Sequence, residues 1–99
     1  MTNRSADAVI IGSGLNSLVC AYSLVQNGWS VIILEQADTA GGAVKTKGLT
    51  VDGFAHDWAA MNLSLFAGSP FFRQYNADLM NLGLEFAPAK HCFASVFPD

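Results

Sequence analysis

A short glycine-rich loop near the N-terminus has residue types that suit binding of a diphosphate. Its pattern is G-x-G-x-x-[small], written out as Gly12-Ser13-Gly14-Leu15-Asn16-Ser17. Gly12 permits a tight turn, Gly14 lets a phosphate approach backbone that has no Cβ, and Ser17 is small enough for close helix–strand packing. Because the loop contains no Lys or Arg, we expect backbone N–H groups and a helix dipole to hold the anion.

Two features downstream extend this pattern. Glu35 lies 21 residues after Gly14, where a carboxylate can accept hydrogen bonds from both hydroxyls of an adenosine ribose and repel a 2′-phosphate. Gly41-Gly42 follows, and glycine there lets backbone pass close to the diphosphate from its other side. The carboxylate disfavours NADP, and the glycine pair favours FAD over NAD, although an NAD site stays open as an alternative.

The elements that must position these residues form a βαβ unit. Apolar, largely β-branched residues predict a buried strand from Asp7 to Ile11 and a second from Val31 to Leu34. Between them, Leu15 to Gln26 is apolar over most of its circumference, which predicts a largely buried helix that stops at Gly28. The strands should be parallel with a right-handed crossover, so the fold class is α/β, of Rossmann type.

The pattern changes after Gly42. Val44 to Lys47 and Phe54 to Trp58 predict a β-hairpin with Asp52-Gly53 in its turn. A second helix should begin at Ser69-Pro70 and end at Gly83. Two further candidate strands are predicted at Leu84 to Phe86 and Cys92 to Phe97.

Composition excludes several classes of function. The net charge is −3 and the five Lys and Arg are scattered, which argues against a nucleic-acid partner. No segment approaches the ~18 apolar residues of a membrane span, so at most peripheral membrane contact is expected. Cys20 and Cys92 match no metal spacing, and Cys20 is expected to be a reduced thiol inside the first helix. With no secretory signal visible, a cytoplasmic location is expected.

The stretch Val9 to Ala43 resembles the N-terminal motif of FAD-dependent oxidoreductases. Within that group it most resembles the phytoene desaturase-like branch, which includes related flavin amine oxidases. The resemblance rests on the apolar strand, the glycine loop, the glutamate and the glycine doublet, and it is looser after Ala43, where Gly53-Phe54 and His56-Asp57 are similar to the family's next stretch. Ser17 stands where the family usually has Gly. Ala43 stands where an Arg often follows the glycine doublet, and this departure disfavours the amine oxidases.

The resemblance implies roles for individual residues in binding FAD. The diphosphate would be lined by Gly12, Gly14, Leu15, Asn16 and Ser17. The adenosine ribose would meet Glu35 and Gln36. The diphosphate and ribityl chain would lie beside Gly41, Gly42 and Ala43. The flavin would be approached by Ala60, Met61 and Asn62. We identify no catalytic acid or base, and we expect His56, Asp57 and His91 to be structural.

The activity that the resemblance implies is that of an FAD-dependent, phytoene dehydrogenase-like oxidoreductase. FAD would accept a hydride from an apolar, isoprenoid-like substrate. Because Pro98-Asp99 is typical of the start of a turn, we expect residues 1–99 to be the N-terminal part of one FAD/NAD(P)-binding domain. The substrate domain would lie outside them, and the piece alone would be inactive. The alternatives are a non-catalytic nucleotide-binding fragment, a flavin amine oxidase and an NAD-binding domain.

Overall fold

The computed structural model describes residues 3–60, 62–91 and 94–98. The chain divides into two compact units, Met1–Leu65 and Phe66–Asp99. The first contains the glycine loop and the residues around it, and the second contains a helix at residues 70–81. Each is described by itself.

The first unit begins with the predicted βαβ arrangement. Strand β1 (Ala8–Ile11) is followed by helix α1 (Leu15–Gln26) and strand β2 (Val31–Leu34). The strands are parallel and pair in register from Ala8↔Val31 to Ile11↔Leu34. Because the two strands end side by side, the residues after Ile11 and those after Leu34 meet at the same edge, which is where ligands bind in open α/β sheets.

Helix α1 ends as its sequence predicts. Gly28 has φ +84°, a left-handed conformation that costs glycine no steric penalty. Its N–H donates to the carbonyl of Val25 at 2.9 Å, and the N–H of Trp29 donates to the carbonyl of Leu24 at 3.1 Å. These bonds satisfy carbonyls that the helix leaves without intrahelical donors, and they turn the chain back into β2.

The expected burial of α1 is wrong. Among its residues only Ala21 is buried, and Cys20 is an exposed free cysteine. On β1, Val9 and Ile11 are 57% and 85% exposed. The physical reason is that a helix and a two-stranded sheet cover only one face of each other. Full burial requires a further layer.

A short antiparallel hairpin follows the glycine pair. Strand β3 (Thr46–Lys47) pairs with β4 (His56–Asp57) through Thr46↔Asp57 and Lys47↔His56. Gly53 has φ +91° in the predicted turn. The hairpin prediction is therefore confirmed, but the strands are shorter than Val44–Lys47 and Phe54–Trp58, since only two residue pairs form the ladder.

The second unit is built around an aromatic cluster on a capped helix. Its main helix is α3 (Pro70–Asn81), and a short helix α2 (Ser64–Ala67), which the sequence did not predict, contains the division between the two units. Ser69 caps α3 by accepting a hydrogen bond from the N–H of Phe72 at 3.0 Å, and the helix gives way to Gly83 with φ +99°, as predicted. The ring pairs lie 5.0 to 6.3 Å apart between centroids and comprise Phe66–Phe71, Phe66–Phe72, Phe71–Tyr75 and Phe72–Phe86.

The strands predicted after α3 are wrong where the structure describes them. Leu84–Phe86 has no strand conformation, and neither do residues 94–97. Cys92 and Phe93 lie outside the described residues. An apolar run forms a strand only when another strand supplies hydrogen bonds, and the described part of the second unit offers none. Within the described residues, no helix is long and apolar enough to cross a membrane.

Candidate dinucleotide-binding site

The glycine loop is attached to the end of β2 by its first residue. The N–H of Gly12 donates to the carbonyl of Leu34 at 2.6 Å. Gly12 has φ +90°, which a residue with a Cβ adopts only under strain. This conformation turns the chain sharply from β1 into α1 and keeps the loop beside the residues that follow β2.

The start of α1 presents backbone donors without any cationic side chain. Gly14 is the N-cap residue, and the first intrahelical hydrogen bond runs from the N–H of Leu18 to the carbonyl of Gly14 at 3.0 Å. The N–H groups of Leu15, Asn16 and Ser17 therefore precede the helical hydrogen-bond ladder. A Cβ added to Gly14 would meet no atom within 4 Å, so the space above this glycine is open. Open space beside helix N–H groups suits a diphosphate.

Ser13 connects the loop to two other parts of the site. Its hydroxyl donates to Oε2 of Glu35 at 2.6 Å, and its N–H donates to the same oxygen at 2.8 Å. Its carbonyl accepts from the N–H of Gly41 at 3.0 Å. Ser13 is 3% exposed. One buried serine thus joins the loop, the glutamate and the glycine pair, three features that the sequence presents separately.

Glu35 is held as a carboxylate by hydrogen-bond donors. Besides the two bonds from Ser13, its Oε1 accepts from the N–H of Ala37 at 2.8 Å. The Ser13 hydroxyl is the largest of the causes that lower the pKa of Glu35 from 4.5 to about 2, followed by the N–H groups of Ala37 and Ser13, with a smaller contribution from the charge of Lys45. Since a carboxylate has about four acceptor positions, these three bonds leave room for a further donor, such as a ribose hydroxyl.

The glycine pair packs backbone against backbone. Gly41 and Gly42 have φ values of +112° and +60°. A Cβ added to Gly42 would lie 2.9 Å from Cα of Gly14, and one added to Gly41 would lie 2.6 Å from the carbonyl oxygen of Val44. Both positions therefore require glycine, and Gly42 brings the second glycine motif into direct contact with the first.

The hairpin places a further predicted residue beside the glycine pair. The N–H of Ala60 donates to the carbonyl of Ala43 at 3.3 Å, and the N–H of Trp58 donates to the carbonyl of Lys45 at 2.8 Å. Asn62 instead caps the start of α2 by accepting from the N–H of Ser64 at 3.1 Å. Met61 lies outside the described residues. Ala60 is thus close to the site's backbone, and the predicted flavin contacts of all three residues stay predictions.

The residues predicted to contact the ligand differ in their exposure to solvent. Leu15, Asn16, Gln36 and Ala43 are exposed, whereas Gly12, Gly14, Ser17, Gly41 and Gly42 are partly buried. The exposed side chains are accessible to a ligand. What the structure brings together is the loop backbone, the carboxylate of Glu35 and the backbone of the glycine pair. The ligand contacts assigned to individual residues stay predictions.

Sequence reasoning missed two residues of this arrangement. Ser13 occupies a variable position of the glycine pattern, and Lys45 follows the glycine pair. The register of β1 and β2 places Glu35 opposite Gly12 and next to Ser13, and the apolar runs alone do not specify that register. That register pairs a hydroxyl with a carboxylate.

The other titratable residues near the hairpin have structural partners. Nε2 of His56 lies 2.8 Å from the hydroxyl of Thr50, and Oδ1 of Asp57 accepts from the hydroxyl of Thr46 at 3.0 Å. His56 and Asp57 therefore have different partners, as expected for neighbours in a strand. Across the described residues, no group of three potential metal ligands is found.

A family model matches most of the chain. The model describes an NAD(P)-binding Rossmann-like domain, and it matches residues 10–79. This range includes the glycine loop, Glu35, the glycine pair and the hairpin. No solved structure matches the chain.

Curated relatives are similar over part of their length. An all-trans-retinol 13,14-reductase from Danio rerio is 31% identical over 91% of this chain and 14% of its own length. The L-amino-acid oxidase BjussuLAAO-I from Bothrops jararacussu is 36% identical over 63% of this chain and 12% of its own. A 4,4′-diapolycopene oxygenase from Methylomonas sp is 39% identical over 57% of this chain and 11% of its own. The chain thus spans less than one sixth of each relative, and all three names denote oxidoreductases.

Proposed function

The chain belongs to the NAD(P)-binding Rossmann-like domain family, and from this premise we propose that it binds the ADP half of FAD within a larger oxidoreductase. The resemblance to FAD-dependent oxidoreductases is confirmed, and with it FAD as the cofactor. The observation that supports the proposal best is the hydrogen-bond network in which Ser13 joins the glycine loop to Glu35 and Gly41.

The residues present fit the ADP half of this cofactor. The first-turn N–H groups of α1 would bind the diphosphate, because they supply donors and positive partial charge without a cationic side chain. Glu35 would accept a hydrogen bond from the ribose, because the donors around it keep it ionised and leave an acceptor position. Gly14 and Gly42, whose backbones touch, would let the diphosphate lie against both glycine motifs.

The chemistry itself would come from the cofactor. When bound, the flavin of FAD accepts a hydride. Residues of this chain would hold and orient the cofactor, and no residue of it is assigned as a catalytic acid or base. We propose that residues 1–99 are the N-terminal part of one FAD/NAD(P)-binding domain, with substrate recognition supplied by other parts of the protein.

We propose an apolar, isoprenoid-like substrate. Two relatives are named for retinol and diapolycopene, and the retinol reductase is similar over 91% of this chain. An amine substrate is the second candidate, because the amino-acid oxidases are also similar. Ala43 disfavours it, since it stands where an Arg often follows the glycine pair in the amine oxidases. Anaerobic bleaching of the flavin by a carotenoid or retinoid, with none by L-amino acids, would support the first candidate; the opposite result would establish the second.

The cofactor proposal is tested by calorimetry and visible absorption on the full protein. We expect a yellow protein with flavin bands, an increase in Tm on addition of FAD to the flavin-free form, and competition by ADP. NAD should raise the Tm less, since it lacks the flavin half. A colourless protein that fails to bind added FAD would overturn the proposal.

A further inference from the structure

The hydrogen bonds between Ser13 and Glu35 join the glycine loop to the carboxylate and also engage one particular carboxylate oxygen. Among the described residues, Ser13 is the polar residue that is buried, with 3% of its surface exposed. Its N–H, hydroxyl and carbonyl all have hydrogen-bond partners within the site. Both donors of Ser13 point to one oxygen, Oε2 of Glu35. The other carboxylate oxygen, Oε1, has the N–H of Ala37 as its partner.

This arrangement fixes the glutamate side chain in one orientation. A glutamate has three rotatable side-chain bonds, and ordering it costs conformational entropy. The hydrogen bonds from Ser13 and Ala37 offset that entropy loss in the protein alone, before any nucleotide binds. A group already held in its binding geometry gives a more selective site than one that must be ordered by its ligand.

We infer that Ser13 is a positioning residue that orients the Glu35 carboxylate and thereby sets the preference of the site for an adenosine ribose without a 2′-phosphate. This inference rests on the proposed function, because it assumes that Glu35 faces the ribose. Glu35 touches the nucleotide, and Ser13 acts through Glu35.

The charge of the carboxylate is the second element of this preference. Hydrogen bonds from Ser13 and Ala37 lower the pKa of Glu35 to about 2, so the group is negative throughout the physiological range. A fixed negative charge close to the 2′ position repels a phosphate there. A carboxylate free to rotate can move away from the phosphate, so the discrimination falls even where the carboxylate stays charged.

The experiment compares two ligands that differ only in a 2′-phosphate, ADP-ribose and 2′-phospho-ADP-ribose. Calorimetry on the full, flavin-free protein gives the ratio of the two affinities. We expect the protein to prefer ADP-ribose at least about tenfold, and Ser13→Ala to lower that ratio about three- to tenfold, the range of one ordinary hydrogen bond. Glu35→Gln should lower it further.

Matched variants separate positioning from general loss of structure. Ser23→Ala removes a partly buried hydroxyl that donates to the carbonyl of Val19 at 2.9 Å, and it should leave the ratio unchanged. Ser13→Thr and Ser13→Val have nearly the same shape but differ in the hydroxyl. If Ser13→Ala does not fold, the threonine variant should keep the ratio and the valine variant should lose it.

The outcomes distinguish this inference from the proposed function. A protein that binds neither FAD nor ADP-ribose overturns both. A protein that binds both, but whose affinity ratio is unchanged in Ser13→Ala or equal in the threonine and valine variants, overturns only the role of Ser13. A loss of affinity for both ligands in equal proportion also overturns it, because a merely structural serine would act in that way.

Discussion

The two ends of the β1–β2 pair have the same local chemistry. At the end where the strands begin, Oδ2 of Asp7 accepts from the N–H and hydroxyl of Ser30 at 2.8 and 2.6 Å. At the end where they finish, Oε2 of Glu35 accepts from the N–H and hydroxyl of Ser13 at the same two distances. Each pair links the segments that flank neighbouring strands, and each lowers the pKa of its carboxyl group.

The surroundings of the two pairs differ. Asp7 and Ser30 are exposed. Their other hydrogen bonds, from the N–H of Asp7 to the Ser30 hydroxyl at 3.0 Å and from the N–H of Ala8 to the Ser30 carbonyl at 3.1 Å, stay between the two segments that precede or begin the strands. Ser13 is buried, and the network continues from it through its carbonyl to Gly41. Glu35 has a further donor in Ala37. The two serine–carboxylate pairs therefore differ in their surroundings: only the pair of Ser13 and Glu35 adjoins helix N–H groups and glycine backbone, and only that pair is a candidate for ligand binding.

The largest difference in FAD affinity between variants at the two ends should appear when a glycine at each end is replaced by alanine. Gly42 and Gly28 both have positive φ, so alanine costs about 1–2 kcal/mol at either position. A Cβ at Gly42 would also lie 2.9 Å from Cα of Gly14, whereas one at Gly28 meets nothing within 4 Å. We expect Gly42→Ala to weaken FAD binding about 100-fold and Gly28→Ala to leave it unchanged.

Calorimetric titration of FAD into both alanine variants measures this difference, with thermal unfolding as a check that each is folded. Similar FAD affinities in the two variants would contradict the close approach of the two glycine motifs as the requirement at Gly42.

The next largest difference concerns the two carboxylates themselves. Glu35→Gln removes the charge that the ribose would meet, and we expect it to weaken FAD binding about tenfold. Asp7→Asn makes the equivalent change at the opposite end, and the FAD affinity should stay the same. Binding isotherms at neutral pH measure both. Equal losses in the two variants would show that the carboxylates act on stability alone.

The pH dependence of stability should also differ between the two ends. Because both pKa values are lowered on folding, each carboxylate stabilises the folded state above its ordinary pKa, and that contribution is lost as the pH falls. For Glu35 the loss extends from pH 4.5 to about 2, and for Asp7 it begins near 3.8. Glu35→Gln should flatten the decline of Tm between pH 5 and 2.5 more than Asp7→Asn. A steeper effect of Asp7→Asn would reverse this order.

The smallest expected effect is that of the Lys45 charge on the pKa of Glu35. Lys45 is the last of the causes that lower the pKa of Glu35. In Lys45→Gln, the pKa of Glu35 should rise slightly, and that of Asp7 should not change. Carbon NMR titration of the two carboxyl groups measures both values in one experiment. At moderate salt, screening removes most of the long-range effect of the Lys45 charge on Asp7. A change in the pKa of Asp7 would therefore contradict a local effect of Lys45 on Glu35.

Much of the fold could be predicted because it depends on local chemistry. The bounds of α1, the stop at Gly28, the parallel pairing of β1 with β2 and the cap at Ser69 follow from apolar runs, glycine at positive φ and a hydroxyl before proline. The strand predicted at Leu84–Phe86 failed, because strand formation depends on a partner that an apolar run does not specify.

The features of the candidate site also fall into those that the sequence determined and those that depended on tertiary structure. The sequence by itself determined which residue types were available: glycines where backbone must approach a diphosphate, a helix start without cations, and a carboxylate after the second strand. Their spacing was enough to indicate a dinucleotide and to favour FAD, because each of those requirements is local.

Only the tertiary structure decided how these features are joined. Ser13 was a variable position in a loop until the parallel register brought it to Glu35, and Gly42 was expected beside the diphosphate but not against the backbone of Gly14. The exposure of Cys20 was likewise decided by the layers around α1 rather than by its apolar sequence. The physical reason is that burial and hydrogen bonding between distant residues depend on which elements pack together, and a local pattern does not specify that packing.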